Sequence, residues 1–162
     1  LTAPRNAFFA ASLLAATATL LGCKATPPPG KTETAIANWT KHHITVGGKK
    51  DKNPLKPTPA VIADGKQLFN SECMVCHGND GQNTGVPFAE SLSPRVPSLA
   101  GEEVQSYTDG QLKWIIKYGL YPSGMPAANG DFGDDDEWRM VAYIRHLPPK
   151  GSLGEPAAYS GK

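Results

Sequence analysis

One short run, Cys73-Met74-Val75-Cys76-His77, sets two thiols three positions apart and follows them directly with an imidazole. On a helical turn that spacing aligns both sulfurs along one edge and carries His77 beneath it. A C-x-x-C-H pattern of this kind reads as a covalent attachment site for c-type haem, each thiol adding to one vinyl group and the imidazole ligating the iron. Two other chemistries compete for the same residues. Structural zinc normally takes four Cys or His ligands, usually from two such pairs, and the only other cysteine is Cys23. A thioredoxin-like redox pair expects a βαβ pattern around it, and none is visible.

An iron held by one histidine needs a second axial ligand or keeps an open position, and three methionines are available. Met74 lies inside the attachment run and cannot cross to the other face of the ring. Met140 sits among apolar residues at helical spacing and reads as core. Met125 lies in Gly124-Met125-Pro126, where the proline biases it away from helical geometry and the glycine permits an unusual turn. Met125 is therefore the expected sixth ligand.

The elements that must position these residues follow from periodicity. Val61, Gly65, Leu68 and Phe69 share helical spacing and lead into Cys73, and Gly65, having no side chain, lets another helix approach. The expected partner is the last helix, opened by Asp134-Asp135-Asp136-Glu137, where acids suit the positive N-terminus. Along it Trp138, Val141, Ile144 and Leu147 share a face, and Pro148-Pro149 stops it. A third helix starts at Thr108, which with Gln111 forms a T-x-x-Q capping box, and Gly119 is placed to end it. Its Trp114 is mostly core, with a possible contact to a haem propionate. Gly78, Gly81, Gly85 and Pro87 mark a loop. A proline carbonyl there is expected to accept the His77 Nδ1 proton and hold the ring, Pro87 first, with Pro94 and Pro97 behind it. His42, His43 and His146 read as surface residues.

Along the 162 residues the charge is divided. Lys24 to Pro59 carries seven lysines and two acids, and Ala60 to Pro149 carries six basic residues and twelve acids. A basic arm thus precedes an acidic domain, which suits a membrane surface or charged partner as well as a merely solvated arm. Pro27-Pro28-Pro29-Gly30 and the later Gly47-Gly48, Pro54, Pro57 and Pro59 give that arm the composition of a linker, within which Trp39, Ile44 and Val46 are candidates to pack as a strap. Residues 1–22 have a short apolar h-region after Arg5, too short to span a bilayer comfortably. They end in Leu20-Leu21-Gly22-Cys23, which resembles the lipobox of bacterial lipoproteins, whose cysteine is acylated. An ordinary secretory signal or an uncleaved anchor are the other readings, and all of them imply export.

From about Ala60 to Pro149 the chain resembles the class I cytochrome c family, particularly single-haem domains of the type found with cbb3 oxidases and periplasmic dehydrogenases. The resemblance rests on Gly65 and Phe69 before Cys73-Met74-Val75-Cys76-His77, then Gly78, Asp80-Gly81, Pro97-Ser98-Leu99, Trp114-Ile115-Ile116, Gly124-Met125-Pro126, Trp138 and Tyr143-Ile144. It implies an all-α cytochrome c fold of three to four helices around one covalent haem c, with iron ligated by His77 and Met125, preceded by an extended linker. The implied organisation is a signal over 1–22, lipid attachment and linker over 23–59, the haem domain over 60–149 and a tail over 150–162. The implied role is one-electron transfer on the periplasmic side of a bacterial membrane, anchored by lipid at Cys23, as a shuttle or a fixed subunit of a respiratory complex. Its partners would be redox proteins, with no nucleic acid and no small-molecule substrate, and it would not itself be an enzyme. The alternative is a haem enzyme or gas sensor with an open or labile sixth position.

Overall fold

A computed structural model describes residues 30–47, 49–92, 94–121, 123–128 and 130–153. Cys23 and the signal-like segment lie outside the described residues. The chain divides into two compact units, Leu1–Ala35 and Ile36–Lys162, and in the first only Gly30 to Ala35 are described.

The described residues form an all-α structure of six helices. They are α1 (Lys31–Thr40), followed by a π-helical turn Lys41–Thr45, α2 (Pro59–Glu72), α3 (Met74–His77), a 3-10 turn Pro87–Glu90, α4 (Glu102–Gln105), α5 (Asp109–Tyr118) and α6 (Asp134–Ile144). Among these residues there is no sheet, and the one isolated bridge pairs Leu120 with Met125. The helix count exceeds the three to four expected because α1, α3 and α4 add to α2, α5 and α6. Two of the additions, α3 and α4, are four residues long, too short to show a hydrophobic period.

The three longer helices of the domain begin where local chemistry directs. Thr58 caps α2 by accepting from Val61 N at 3.3 Å, and Pro59 occupies the first turn, where its missing N–H has no cost. In α5 the expected capping box is complete, with Gln111 N donating to Thr108 Oγ1 at 3.1 Å and Thr108 N donating to Gln111 Oε1 at 2.9 Å. Gly119 ends the helix at φ 71°. At the head of α6, Gly133 N donates to Asp136 Oδ2, and four acids occupy the first turn, facing the positive end of the helix dipole.

Packing centres on the crossing of α2 with α6. A Cβ built on Gly65 would stand 2.1 Å from the Arg139 carbonyl oxygen and 3.0 Å from the Tyr143 Cβ, so glycine sets how closely the two helices meet. Phe69, one turn further along α2, is 1% exposed and meets the Tyr143 ring at 5.2 Å. Leu112, Ile115 and Ile116 of α5 and Trp138, Val141 and Ile144 of α6 complete this core. Met140 is fully buried within it, as its spacing predicts.

The stretch expected to be a linker behaves differently from Lys41 onward. Val46 is 2% exposed and belongs to the core. Gln111 Nε2 donates to the carbonyls of both His42 and Gly47 at 2.8 Å. Thr108 Oγ1 donates to the Lys49 carbonyl, Gly110 N donates to the Asp51 carbonyl at 2.9 Å, and Asn53 Nδ2 donates to the Trp138 carbonyl at 2.8 Å. Residues 41 to 55 therefore form a strap across α5 and α6. His42 departs from the surface role expected of it, since its ring stacks on Tyr107 with centroids 3.9 Å apart and planes 5° apart. Trp39 and Ile44 remain exposed.

Candidate haem-attachment site

The residues of the C-x-x-C-H run sit at a junction. Cys73 is at once the residue that ends α2 and the one that starts α3. Its N–H donates to the Phe69 carbonyl at 2.8 Å, and its own carbonyl accepts from Cys76 N at 3.1 Å and His77 N at 3.0 Å. The two cysteines and the histidine thus share a single turn held at both ends by backbone bonds. Both thiols are free. Burial pushes the Cys73 thiol up to about 11, with smaller contributions from the Glu72 and Cys76 charges, so it is a neutral thiol at neutral pH.

His77 is 8% exposed. Burial lowers its pKa, an effect partly offset by the carbonyl of Pro97, and the ring is a neutral imidazole at neutral pH. Its Nδ1 is buried with no partner at full hydrogen-bond geometry. The carbonyl acting on the ring is that of Pro97 and not, as expected, that of Pro87, which opens the 3-10 turn instead. The cause is the path of the loop. Gly78 leaves α3 at φ 72°, Asn83 adopts φ 63° and Gly85 φ 77°, Asn83 N donates back to the His77 carbonyl at 2.8 Å, and Asn83 Nδ2 fixes the Val96 carbonyl at 2.8 Å. Anchored at Val96, the loop presents the residue that follows.

Asp80, which the sequence marks only as part of the resemblance, stabilises the same loop. Asp80 is 1% exposed and accepts from Gln82 N at 2.9 Å, Thr84 Oγ1 at 2.6 Å and Gly151 N at 2.8 Å. Burial alone would raise its pKa, but these bonds together outweigh it and hold the carboxyl below the usual range. Tyr143 adds a further bond, its hydroxyl donating to the Asn79 carbonyl at 3.2 Å. The signal for Asp80 was the Asp-Gly turn beside the motif, which shows a turn but not what the carboxylate binds.

Met125 lies in a loop that folds back on the end of α5. Leu120 N donates to the Met125 carbonyl at 3.1 Å, Ser123 N to the Leu120 carbonyl at 2.9 Å, and Ala128 N to the Ile116 carbonyl at 3.1 Å. Gly124 takes φ 81° at the turn, and a Cβ on Gly119 would stand 2.5 Å from the Met125 carbonyl oxygen. Met125, Trp114 and Cys73 all pack against the one core, although they come from different elements. Trp114 also meets Tyr118 with ring centroids at 5.2 Å. His146 is half-buried just beyond the end of α6, its Nδ1 within 2.8 Å of the Ala142 carbonyl of that helix.

The donor set fits one haem group: two free thiols on one turn, a buried neutral imidazole and a thioether on a separate loop. Structural zinc normally takes four such ligands, and among the described residues no group of three or more His, Cys, Asp or Glu side chains is arranged to hold a metal ion. Among the same residues no helix is long and apolar enough to cross a membrane.

Comparison with known proteins locates the same span. The family model described as cytochrome c oxidase, cbb3-type, subunit III, matches residues 60–144, from the first turn of α2 to the last residue of α6. A thiosulfate dehydrogenase of Stutzerimonas stutzeri (strain A1501) is 30% identical over 84 residues, 51% of this chain and 26% of that protein. The chain spans about a quarter of the length of that curated relative. A solved structure of a Kuenenia stuttgartiensis reducing HAO-like protein complex is 26% identical over 56% of this chain and 45% of its own, with a TM-score of 0.47.

Proposed function

We propose, from the premise that this chain belongs to the cytochrome c oxidase, cbb3-type, subunit III family over residues 60–144, that it is a membrane-tethered one-electron carrier. A general redox role follows from the membership itself. The finer reading is that Cys73 and Cys76 hold one haem c covalently and that His77 and Met125 ligate its iron. When bound, that group supplies an iron that passes between Fe(III) and Fe(II) by one electron.

The observation that carries the reading is the placement of His77: buried, with Nδ1 lacking a full partner, on one turn with two free thiols. A neutral imidazole offers the lone pair a metal needs, and a cationic one does not. The Pro97 carbonyl, which offsets part of the effect of burial on the ring, would be the acceptor that orients it, as acceptors near a metal-ligating histidine generally do. As an iron ligand, the Met125 thioether would favour Fe(II) and raise the potential, and would keep substrate from the iron. The chain need move no proton for this, so no general acid or base is assigned, and the protein is read as a carrier and not an enzyme.

The acidic domain surface favours a basic docking site on donor and acceptor proteins, with association that weakens as salt rises. Acylation of Cys23 would tether the carrier on the periplasmic side of a bacterial membrane. The visible spectrum of the purified protein tests the central claim. A ferric methionine-to-iron band in the far red, with no change on adding CO to the ferrous form, is expected. A high-spin spectrum with ready CO binding would overturn it in favour of a haem enzyme or gas sensor.

A further inference from the structure

The strap and the end of α1 that leads into it have two faces of opposite character. The inner one is engaged, with Lys41 paired to Glu103 at 2.9 Å, His42 stacked on Tyr107 and Val46 in the core. The outer one carries Ile36 at 61%, Trp39 at 57% and Ile44 at 67% exposure. Trp39 is braced from beside, since the His43 ring stacks on it with centroids 4.8 Å apart and His43 Nδ1 lies 2.9 Å from the Trp39 carbonyl. A tryptophan fixed in place at the surface, rather than folded away, offers a rigid amphipathic ring.

Charge identifies what such a face would meet. Gln111 and Thr108 at the head of α5 hold His42, Gly47 and Lys49, so the exposed Lys49, Lys50 and Lys52 continue from where the apolar face ends. The domain beyond is acidic, with twelve acids against six basic residues from Ala60 to Pro149. The strap therefore differs in sign from the body it lies on. Exposed tryptophan and aliphatic groups next to lysines, on a segment of low overall hydrophobicity, match the headgroup region of an anionic bilayer. Lysines are attracted to its negative surface potential, and Lys49, Lys50 and Lys52 outnumber the one acid among them, Asp51.

We infer that the outer face of residues 36–46, with Lys49, Lys50 and Lys52, is an interfacial docking surface for an anionic lipid bilayer. The inference rests on the membrane-tethered reading, which brings a bilayer within reach, and adds that the domain lies on the membrane in a fixed orientation. No residue of the haem site is part of the surface.

Hydrogen exchange of the full, haem-loaded chain tests it, on phosphatidylglycerol vesicles, on phosphatidylcholine vesicles and in detergent. Amides of residues 36–46 are expected to exchange about tenfold more slowly on phosphatidylglycerol than on phosphatidylcholine, and the difference should shrink at high salt. It should vanish in a Trp39→Ser, Ile44→Ser variant, and fall in a Lys49→Gln, Lys50→Gln, Lys52→Gln variant, while α5 amides stay unchanged in both. Equal exchange on the two vesicle types overturns the inference. Protection in detergent that grows with protein concentration also overturns it, assigning the face to a second copy of the chain. The mass of the Cys23 peptide in the same digest reports acylation separately, so loss of the tether and loss of the docking surface are told apart.

Discussion

The backbone carbonyl of Arg139 occupies the place a side chain on Gly65 would take, 2.1 Å from an ideal Cβ. Because the obstacle is main chain, no rotamer change relieves it, and α2 and α6 must separate. Gly65→Ala is expected to destabilise the domain by about 1–3 kcal/mol or more. That corresponds to roughly 4–8 °C of thermal midpoint per kcal/mol, despite alanine being the better helix former. An unchanged midpoint in a thermal melt would show that the crossing is not held at this distance.

Phe69 links that crossing to the candidate site, lying 5.2 Å from the Tyr143 ring and 6.4 Å from the His77 ring by centroids. Phe69→Ala should cost about 3–5 kcal/mol in a denaturant titration. A loss under about 1 kcal/mol would mean that the neighbours collapse into the space, against the usual behaviour of a filled core.

Asp80 gives the stability of the loop a pH dependence of known sign. Its carboxyl lies below the ordinary range when folded, so its contribution is complete above the unfolded value of about 4 and is lost as pH falls through the folded value. At neutral pH, Asp80→Asn should lower stability by about 1–3 kcal/mol, and the gap between variant and parent should close as the solution is taken well below pH 4. A gap that stays constant from neutral to acid pH in paired thermal melts would contradict this account.

If Met125 ligates the iron, Met125→Ala lowers the reduction potential by on the order of 100 mV, within the roughly 0.8 V that axial ligands span, and opens the ferrous form to CO. Potentiometric titration and CO difference spectra check it together. An unmoved potential with continued exclusion of CO would remove Met125 from the site.

Gln111 serves two structures at once, capping α5 through its Oε1 and holding the strap through its Nε2. Gln111→Leu should cost about 1–3 kcal/mol, because the part-buried carbonyls of His42 and Gly47 lose their donor. Amides from 42 to 47 should then exchange faster, with α6 little affected. Exchange confined to the start of α5 would show that the cap alone matters.

That double role marks where sequence reasoning stops. The Thr108–Gln111 box, the Gly119 terminus, the acidic head of α6 and the close approach at Gly65 all involve residues within a turn of one another, or a missing side chain, and their patterns are visible in one dimension. The junction of α2 with the Cys73–His77 turn was legible for the same reason. What Gln111 Nε2 reaches, 64 and 69 residues away, is not. Nor was the choice of Pro97 over Pro87, since it depends on a loop whose course is set by Asn83 in a left-handed conformation, rare for any residue but glycine. The strap was legible only in part: of its apolar candidates Val46 is buried while Trp39 and Ile44 stay exposed, and the structure fixes the segment chiefly through main-chain carbonyls, which carry no residue signature.

A carrier tethered upstream of Lys41, as proposed, would also carry load at that end. Tension applied upstream of Lys41 enters the domain at His42, Val46, Gly47 and Lys49, and is passed through Gln111 and Thr108 into α5. Asn53, bonded to the Trp138 carbonyl, takes up what remains before the chain reaches α2. Under the tethered reading, a tug on the arm would be borne first by α5, and the turn bearing Cys73, Cys76 and His77 lies off that path.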